Sequence, residues 1–345
     1  MDRRTFSRQL ASGLGALPLF GPANRIIPSF LKARRLREGD VVYLIAPGSP
    51  VEEEKLQLGV TNMEALGLRP RLGKHVLARR GFTAGTDAQR LEDLHAAFED
   101  VEAKGVWCIR GGYGCSRLLP NINYRLIRQN PKVLIGYSDI TALLQAIHQK
   151  TGLICFHGPV GVSPPEGYTP YTLAQVRTLL MEAPPRQVIP VATAQATAEG
   201  DHYRPEAMVP GRASGPLAGG NLSLLAALAG TPYGLDATGK LVFIEDVGEK
   251  PYRLDRMLTQ LRQASNLAYA KGILLGVFSG CDPDPDDDSL SLKETLTDRL
   301  GDLGIPVMYG LSFGHVDNMC TLPVGIRASF DTEGAQVVIE EAAVA

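Results

Sequence analysis

Lys132-Val-Leu-Ile-Gly-Tyr-Ser-Asp-Ile-Thr141 runs from a short apolar stretch of β type, through Gly136-Tyr137-Ser138, into the helix-compatible segment Ile140 to Gln149. Ser138 therefore falls on a sharp turn from strand to helix. Such a turn holds a hydroxyl clear of its neighbours, and the free N–H groups at the start of the helix stabilise negative charge beside it. This is the logic of a nucleophile elbow, except that the second glycine expected two residues after the serine is Ile140. An ordinary turn with Ser138 or Asp139 as helix N-cap accounts for the same residues, so the reading depends on the rest of the chain.

Strands and helices alternate around this turn. Asp40 to Ser49 is an apolar run closed by Pro47-Gly48, as suits a buried parallel strand feeding a loop. Val51 to Leu66 has helical spacing, and Leu68 to Leu72 reads as a strand. Thr86 to Asp100 reads as a capped helix with Leu91, Leu94 and Phe98 on one face. Gly105 to Ile109 is the next strand. The alternation predicts an α/β fold whose N-terminal part is an open parallel sheet with flanking helices and functional loops at the carboxyl ends of the strands. Two such ends stand out, Ser138 and Arg110-Gly-Gly-Tyr-Gly114. The glycines let backbone N–H groups approach a ligand closely. The pattern is neither a Walker loop nor a dinucleotide fingerprint, so an oxyanion-hole role ranks above phosphate binding, with a plain turn as the alternative.

The length of 345 residues suggests two domains. The expected division is an N-terminal α/β domain over 36–160, an interdomain crossover over the Pro-, Thr- and Ala-rich 161–210, and a smaller mixed α/β domain over 211–345. The last opens with Gly215-Pro-Leu-Ala-Gly-Gly-Asn-Leu-Ser223. The strand Lys240 to Ile244 leads directly into Glu245, a helix spans Arg253 to Ala264, and Gly272 to Ser279 is a buried strand. Ile305 to Tyr309 is the last strand before Gly310-Leu-Ser-Phe-Gly-His315. Glu245 and His315 thus each sit just past a strand, where catalytic groups are wanted, and the site is expected between the domains.

Residues 1–35 differ in kind. Arg3-Arg4-Thr5-Phe6 precedes the uncharged stretch Leu10 to Ala23, and together they resemble a bacterial twin-arginine export signal. The apolar run is short for a bilayer span, so no integral membrane contact is expected. A periplasmic protein is the favoured reading, and a cytoplasmic one with a disordered basic N-terminus is the alternative. A formal net charge of -2 offers no field for nucleic acid or an anionic membrane, which leaves a small substrate. The five cysteines are odd in number and lack Cys-x-x-Cys spacing or paired histidines, which argues against a zinc site or a disulfide framework. The acidic run Cys281 to Ser289 lacks the glycine and later glutamate of an EF-hand and reads as a solvated loop. No metal and no cofactor are expected.

A serine hydroxyl needs a base, usually a histidine oriented by a carboxylate. Of six histidines, His315 is the best placed, with His157 in Cys-Phe-His-Gly-Pro159 as its rival. His95 and His148 fall on helix patterns, and His75 and His202 lie in polar surroundings. An unpaired carboxylate at Glu245 would be costly to bury, and a histidine partner would remove that cost. Glu249 is a second candidate, and either acid could instead pair with Arg253 or Arg256.

Together, Gly111-Gly112-Tyr113-Gly114, Ile135-Gly-Tyr-Ser-Asp139, Gly219-Gly-Asn-Leu-Ser223, Glu245-Asp-Val-Gly-Glu249 with Tyr252-Arg-Leu-Asp-Arg256, and Gly314-His315 resemble the LD-carboxypeptidase family of serine peptidases, over roughly residues 38 to 330. The family includes murein tetrapeptide LD-carboxypeptidases and self-immunity peptidases that cleave peptide-nucleotide antibiotics. The resemblance implies Ser138 as nucleophile, His315 as general base and Glu245 as the carboxylate orienting it. It implies an oxyanion hole from the backbone N–H groups of Gly112 and Asp139, and a substrate cleft lined by Asn221 and Ser223. It also implies a murein-derived peptide substrate and a homodimer. Lys250, Arg253 and Arg110 are unranked candidates for holding the substrate carboxylate. A self-immunity peptidase cleaving peptide-nucleotide antibiotics, a true α/β-hydrolase esterase and a non-catalytic exported two-domain binding protein, in which Ser138 is only a cap, are the competing readings.

Overall fold

The computed structural model describes residues 30–162, 167–192 and 204–345. The twin-arginine-like segment, residues 163–166 and residues 193–203 with His202 lie outside the described residues.

The first half follows the apolar runs. In chain order it comprises β1 (Val41–Ile45), α1 (Glu53–Ala65), β2 (Arg69–Leu72), α2 (Asp87–Glu99), β3 (Ala103–Cys108), α3 (Tyr124–Gln129), β4 (Val133–Gly136), α4 (Thr141–Thr151) and β5 (Cys155–His157). Thr86 starts α2 through a capping box with Gln89, in which each residue's side chain accepts the other's backbone N–H. The five strands pair in parallel in the order β5-β4-β3-β1-β2. All four residues of β4 are buried, as a parallel sheet covered on both faces requires.

Residues 161–210, expected as a crossover, contain α5 (Pro170–Arg177), β6 (Gln187–Ile189) and β7 (Glu206–Val209). Pro190, Pro205 and Pro210 flank these strands. They are short edge strands, the one place in a sheet where nearby proline is tolerated, so composition alone reads them as linker. The second half of the chain adds β8 (Arg212–Asn221), α6 (Leu222–Leu228), β9 (Leu241–Val247), α7 (Pro251–Ala264), β10 (Gly272–Ser279), α8 (Leu292–Leu300), β11 (Val307–Tyr309), β12 (Leu322–Val324), β13 (Arg327–Asp331) and β14 (Gln336–Ile339), and all of its strands except β12 join β6 and β7 in a second sheet. Its order is β6-β14-β13-β8-β9-β10-β11-β7, parallel from β8 to β11 and antiparallel outside that block. Expected to be the smaller unit, it has, among the described residues, eight strands against six in the first sheet.

Three strands that the sequence does not announce lie beyond Tyr309. The first, β12, is three residues long with Pro323 at its centre, too short to show a period. It leaves the second half and pairs antiparallel with β5, Leu322 opposite His157, so the first sheet carries one antiparallel edge and is not wholly parallel. The chain therefore crosses back immediately after His315 and ties the two halves together. One hydrophobic core runs across the seam and includes Ile135, Phe156, Leu217, Phe243 and Phe313. A second core on the far face packs Leu254, Leu258 and Leu261 of α7 against Leu292 and Leu296 of α8.

The seam is closest at the end of β8. The Asn221 N–H donates to Thr141 Oγ1 at 3.0 Å, at the first residue of α4. A Cβ at Gly219 would lie 1.8 Å from the Phe243 carbonyl oxygen, and one at Gly220 would lie 2.5 Å from Thr141 Cγ2. Only glycine lets β8 run this close to both β9 and the helix that follows Ser138. Gly219→Ala should therefore cost about 3 kcal/mol in urea denaturation, because neither backbone can yield. Gly239→Ala is the control: its φ is +73°, and nothing lies within 4 Å of the added Cβ. It should cost only about 1 kcal/mol, and equal losses would contradict the close-approach account.

Candidate active site

Ser138 has a φ of +63°, in the left-handed region. A non-glycine residue there costs about 1–2 kcal/mol, and such strain is concentrated at functional sites. The neighbours explain how the turn is held. A Cβ at Gly111 would lie 2.9 Å from Ser138 Cβ and 3.2 Å from its Oγ, so the strand-end glycine makes room for the hydroxyl. A Cβ at Gly136 would lie 2.9 Å from Ile140 Cγ2. Ile140 thus folds over Gly136, and the elbow needs no glycine at position 140. Ser138–Ile140 forms a single 3₁₀ turn that runs into α4. The Asp139 N–H lies in that first turn and has no intrahelical acceptor.

The glycine loop after β3 is clamped from three directions. Ser49 N–H donates to the Gly111 carbonyl at 3.0 Å, while Ser49 Oγ accepts from Tyr113 N–H at 3.0 Å and donates to the Phe82 carbonyl at 2.9 Å. The buried carboxylate of Asp139 accepts the Cys115 N–H at 2.9 Å. Arg90, 1% exposed, donates to the carbonyls of Gly114, at 3.0 Å, and Pro47, and to Asp87 at 2.6 Å. Gly112 has a φ of +97° and stands against Ser49. The sequence reading missed Arg90. Its signal is a charged residue on the i, i+4, i+8 stripe with Leu94 and Phe98, where an apolar side chain belongs.

Glu245 lies inside β9, rather than just past it, with no exposure at all. The pair Glu245-Asp246 reads as polar, and the predicted strand therefore stops at Ile244, three residues before β9 ends at Val247. His315 Nδ1 lies 2.8 Å from Glu245 Oε2. Burial raises the Glu245 pKa, but the hydrogen bond and charge of His315 outweigh it, and the net direction is down. Burial lowers the His315 pKa, but Glu245, with Asp246 behind it, carries it above the ordinary histidine value. The Tyr137 ring packs edge-on against His315, centroids 4.8 Å apart. The residue next to Ser138 in the chain therefore touches the histidine held by Glu245.

Asn221 and Ser223, expected to line the substrate cleft, are hydrogen-bonded within the protein. Asn221 Nδ2 donates to Asp246 Oδ1 at 3.0 Å, and both the N–H and the hydroxyl of Ser223 donate to Asp246 Oδ2, at 2.9 and 2.8 Å. Glu249 pairs with Arg253 at 3.4 Å, which separates the two candidate acids. Lys250 is taken up by Asp284 and, at 3.2 Å, by Asp287 of the acidic run, and Arg110 donates to the Pro50 carbonyl at 3.0 Å. Among the other described histidines, His75 contacts Glu92, His95 accepts from Asn123 N–H and His148 contacts the Leu153 carbonyl. All five cysteines are buried and free.

The electrostatics predict a pH profile. With His315 as the expected base, which works as the neutral imidazole, activity should fall as pH drops through its pKa, and this acid limb should lie above that of an ordinary histidine. Glu245→Gln removes the carboxylate and leaves burial as the larger effect. The limb should then move to lower pH, with kcat reduced about ten-thousandfold because the required tautomer is no longer favoured. An unmoved limb in steady-state profiles would show that Glu245 does not control His315.

Residues 42–158 match the LD-carboxypeptidase N-terminal domain, and residues 214–330 match the LD-carboxypeptidase C-terminal domain. The chain is 41% identical over 314 residues to a probable murein peptide carboxypeptidase of Bacillus subtilis, covering 90% of this chain and 94% of that one. It is 38% identical over 292 residues to the murein tetrapeptide carboxypeptidase of Pseudomonas aeruginosa, covering 83% and 92%. The crystal structure of muramoyltetrapeptide carboxypeptidase from Oxalobacter formigenes superimposes with a TM-score of 0.74 at 29% identity, covering 86% and 97%. The microcin self-immunity protein MccF superimposes with a TM-score of 0.83 at 24% identity, covering 91% and 100%, a likeness of fold. With both domains matched in order and relatives aligned along most of their length, the chain belongs to the LD-carboxypeptidase family of serine peptidases.

Proposed function

We propose that the protein is a serine LD-carboxypeptidase that releases the terminal D-Ala from murein tetrapeptide, in recycling or remodelling of cell-wall peptides. The observation that carries this reading is the buried Glu245–His315 hydrogen bond, packed through Tyr137 against the strained Ser138 turn. The murein relatives supply the substrate class.

In this reading Ser138 Oγ attacks the carbonyl of the L,D peptide bond while His315 takes its proton. The N–H groups of Gly112 and Asp139 hold the oxyanion, each worth about a hundred- to thousandfold in rate. His315 then gives its proton to the departing D-Ala amine, and the acyl group stays on Ser138. Water, deprotonated by His315, attacks this ester and frees the tripeptide and the serine. Glu245 keeps the imidazole in the tautomer whose Nε2 is open to the serine, and stabilises the imidazolium that forms. Asn221 and Ser223 act in this scheme by fixing Asp246 at the end of the same strand. Homodimer formation, and export to the periplasm through Arg3-Arg4 and Leu10 to Ala23, complete the proposal.

Mass spectrometry of purified murein tetrapeptide tests it. The wild type should release D-Ala, and Ser138→Ala should release none while its urea midpoint stays at or above that of the wild type. Ser138→Gly, which removes the left-handed strain, should gain about 1 kcal/mol. D-Ala release undiminished in Ser138→Ala would overturn the mechanism.

A further inference from the structure

His157 ends β5 and is completely buried, yet neither of its ring nitrogens has a hydrogen-bond partner among the described residues. Its ring meets Tyr137 at 6.1 Å, Phe243 at 5.2 Å and Phe313 at 6.1 Å, all edge-on. Tyr137 adjoins Ser138 in the first half of the chain, whereas Phe243 and Phe313 each precede a candidate catalytic residue of the second half by two positions. His157 therefore stands at the seam beneath the proposed triad. An aromatic box of this kind suits a phenylalanine, and a histidine there leaves two polar atoms to be satisfied at a cost.

A second unpartnered atom lies in the same place. Glu245 Oε1 is buried with no partner at hydrogen-bond distance among the described residues, while Oε2 binds His315 and the Asn221 side chain, opposite on β8, helps to keep the carboxylate ionised. Phe243 and Glu245 are two apart on β9 and share a face of the sheet, so the carboxylate emerges beside the ring that packs on His157. The titratable groups facing His157 are Glu245 from β9, His315 from the segment after β11 and Tyr137 from the end of β4. Burial, aided by His315 and opposed by Glu245, lowers the His157 pKa to about 4. The ring is thus neutral at physiological pH, with one N–H donor and one acceptor.

We propose that His157 is a positioning residue for the Glu245–His315 pair: its ring N–H holds Glu245 Oε1 through one internal water, which keeps Oε2 aimed at His315 Nδ1. Internal waters of this sort serve buried polar groups that lack protein partners. A held carboxylate stays ionised and keeps the His315 pKa high; a carboxylate with one free oxygen is less well stabilised as the anion. This rests on the triad chemistry proposed above.

His157→Phe fills the same box without polar atoms, and His157→Gln restores a donor. Both are compared with the wild type in tetrapeptide turnover, in thermal melting, and in an NMR titration of His315 that needs no substrate. His157→Phe should melt at or above the wild-type temperature, lose about tenfold in kcat with KM within about twofold, and show a lower His315 pKa. His157→Gln should regain most of the kcat and of the pKa. Wild-type kcat and His315 pKa in His157→Phe, or a loss in His157→Gln as large as in His157→Phe, would overturn the proposal. Should His157→Phe fail to melt cooperatively, His157→Leu carries the same comparison. A wild type inert toward tetrapeptide would fail the functional reading alone, since the titration still decides the role of His157.

Discussion

A carboxylate sealed from solvent in the middle of a β-strand is stable as an anion only when something positive or proton-donating is held against it. At Glu245 that partner is His315 Nδ1, 2.8 Å away. The desolvation cost of such a carboxylate is several kcal/mol, so losing the partner would destabilise the strand that carries it. Much of the second half can be understood as the apparatus that keeps these two groups together. β9 is buried from Leu241 to Asp246, and the segment bearing His315 is pinned by Phe313 in the core and by β12 on the first sheet. Ser279 Oγ donates to the His315 carbonyl at 2.9 Å and fixes the backbone from β10.

The first half contributes the opposite kind of constraint, a backbone held in an unfavourable conformation. Ser138 keeps a positive φ because Gly111 leaves space for its side chain and Ile140 folds over Gly136. Asp139 then ties the turn to the glycine loop through Cys115, and Arg90 ties that loop to the loop after β1. Neither half holds the full set of proposed catalytic groups. They meet where Tyr137 packs on His315, where β8 passes Thr141 on two glycines, and where β12 joins β5.

The parallel strands and their helices were legible because continuous apolar runs and capped helical stripes are local signals: Thr86 marks a helix start without any knowledge of the fold. Ser138 was legible as a strand-to-helix turn, but its left-handed backbone depends on Gly111, which is distant in sequence. The short strands β6, β7 and β12 carry too few residues for a period and have prolines beside or within them. The placement of Glu245 inside β9 was hidden by the polarity of its own side chain. The place of Asn221 and Ser223 in a substrate cleft is what the family resemblance implies; their service to Asp246 was not legible, because its demand for their donors appears only once β9 lies beside β8.

The central claim is that Ser138 is acylated by substrate with His315 acting across the seam. Acid-quenched incubation with murein tetrapeptide, followed by peptide mapping, tests it most directly. The account predicts an adduct of the tetrapeptide minus D-Ala on the peptide containing Ser138, absent from His315→Ala. The same adduct on another residue, or an adduct on Ser138 formed at the wild-type rate without His315, would contradict it.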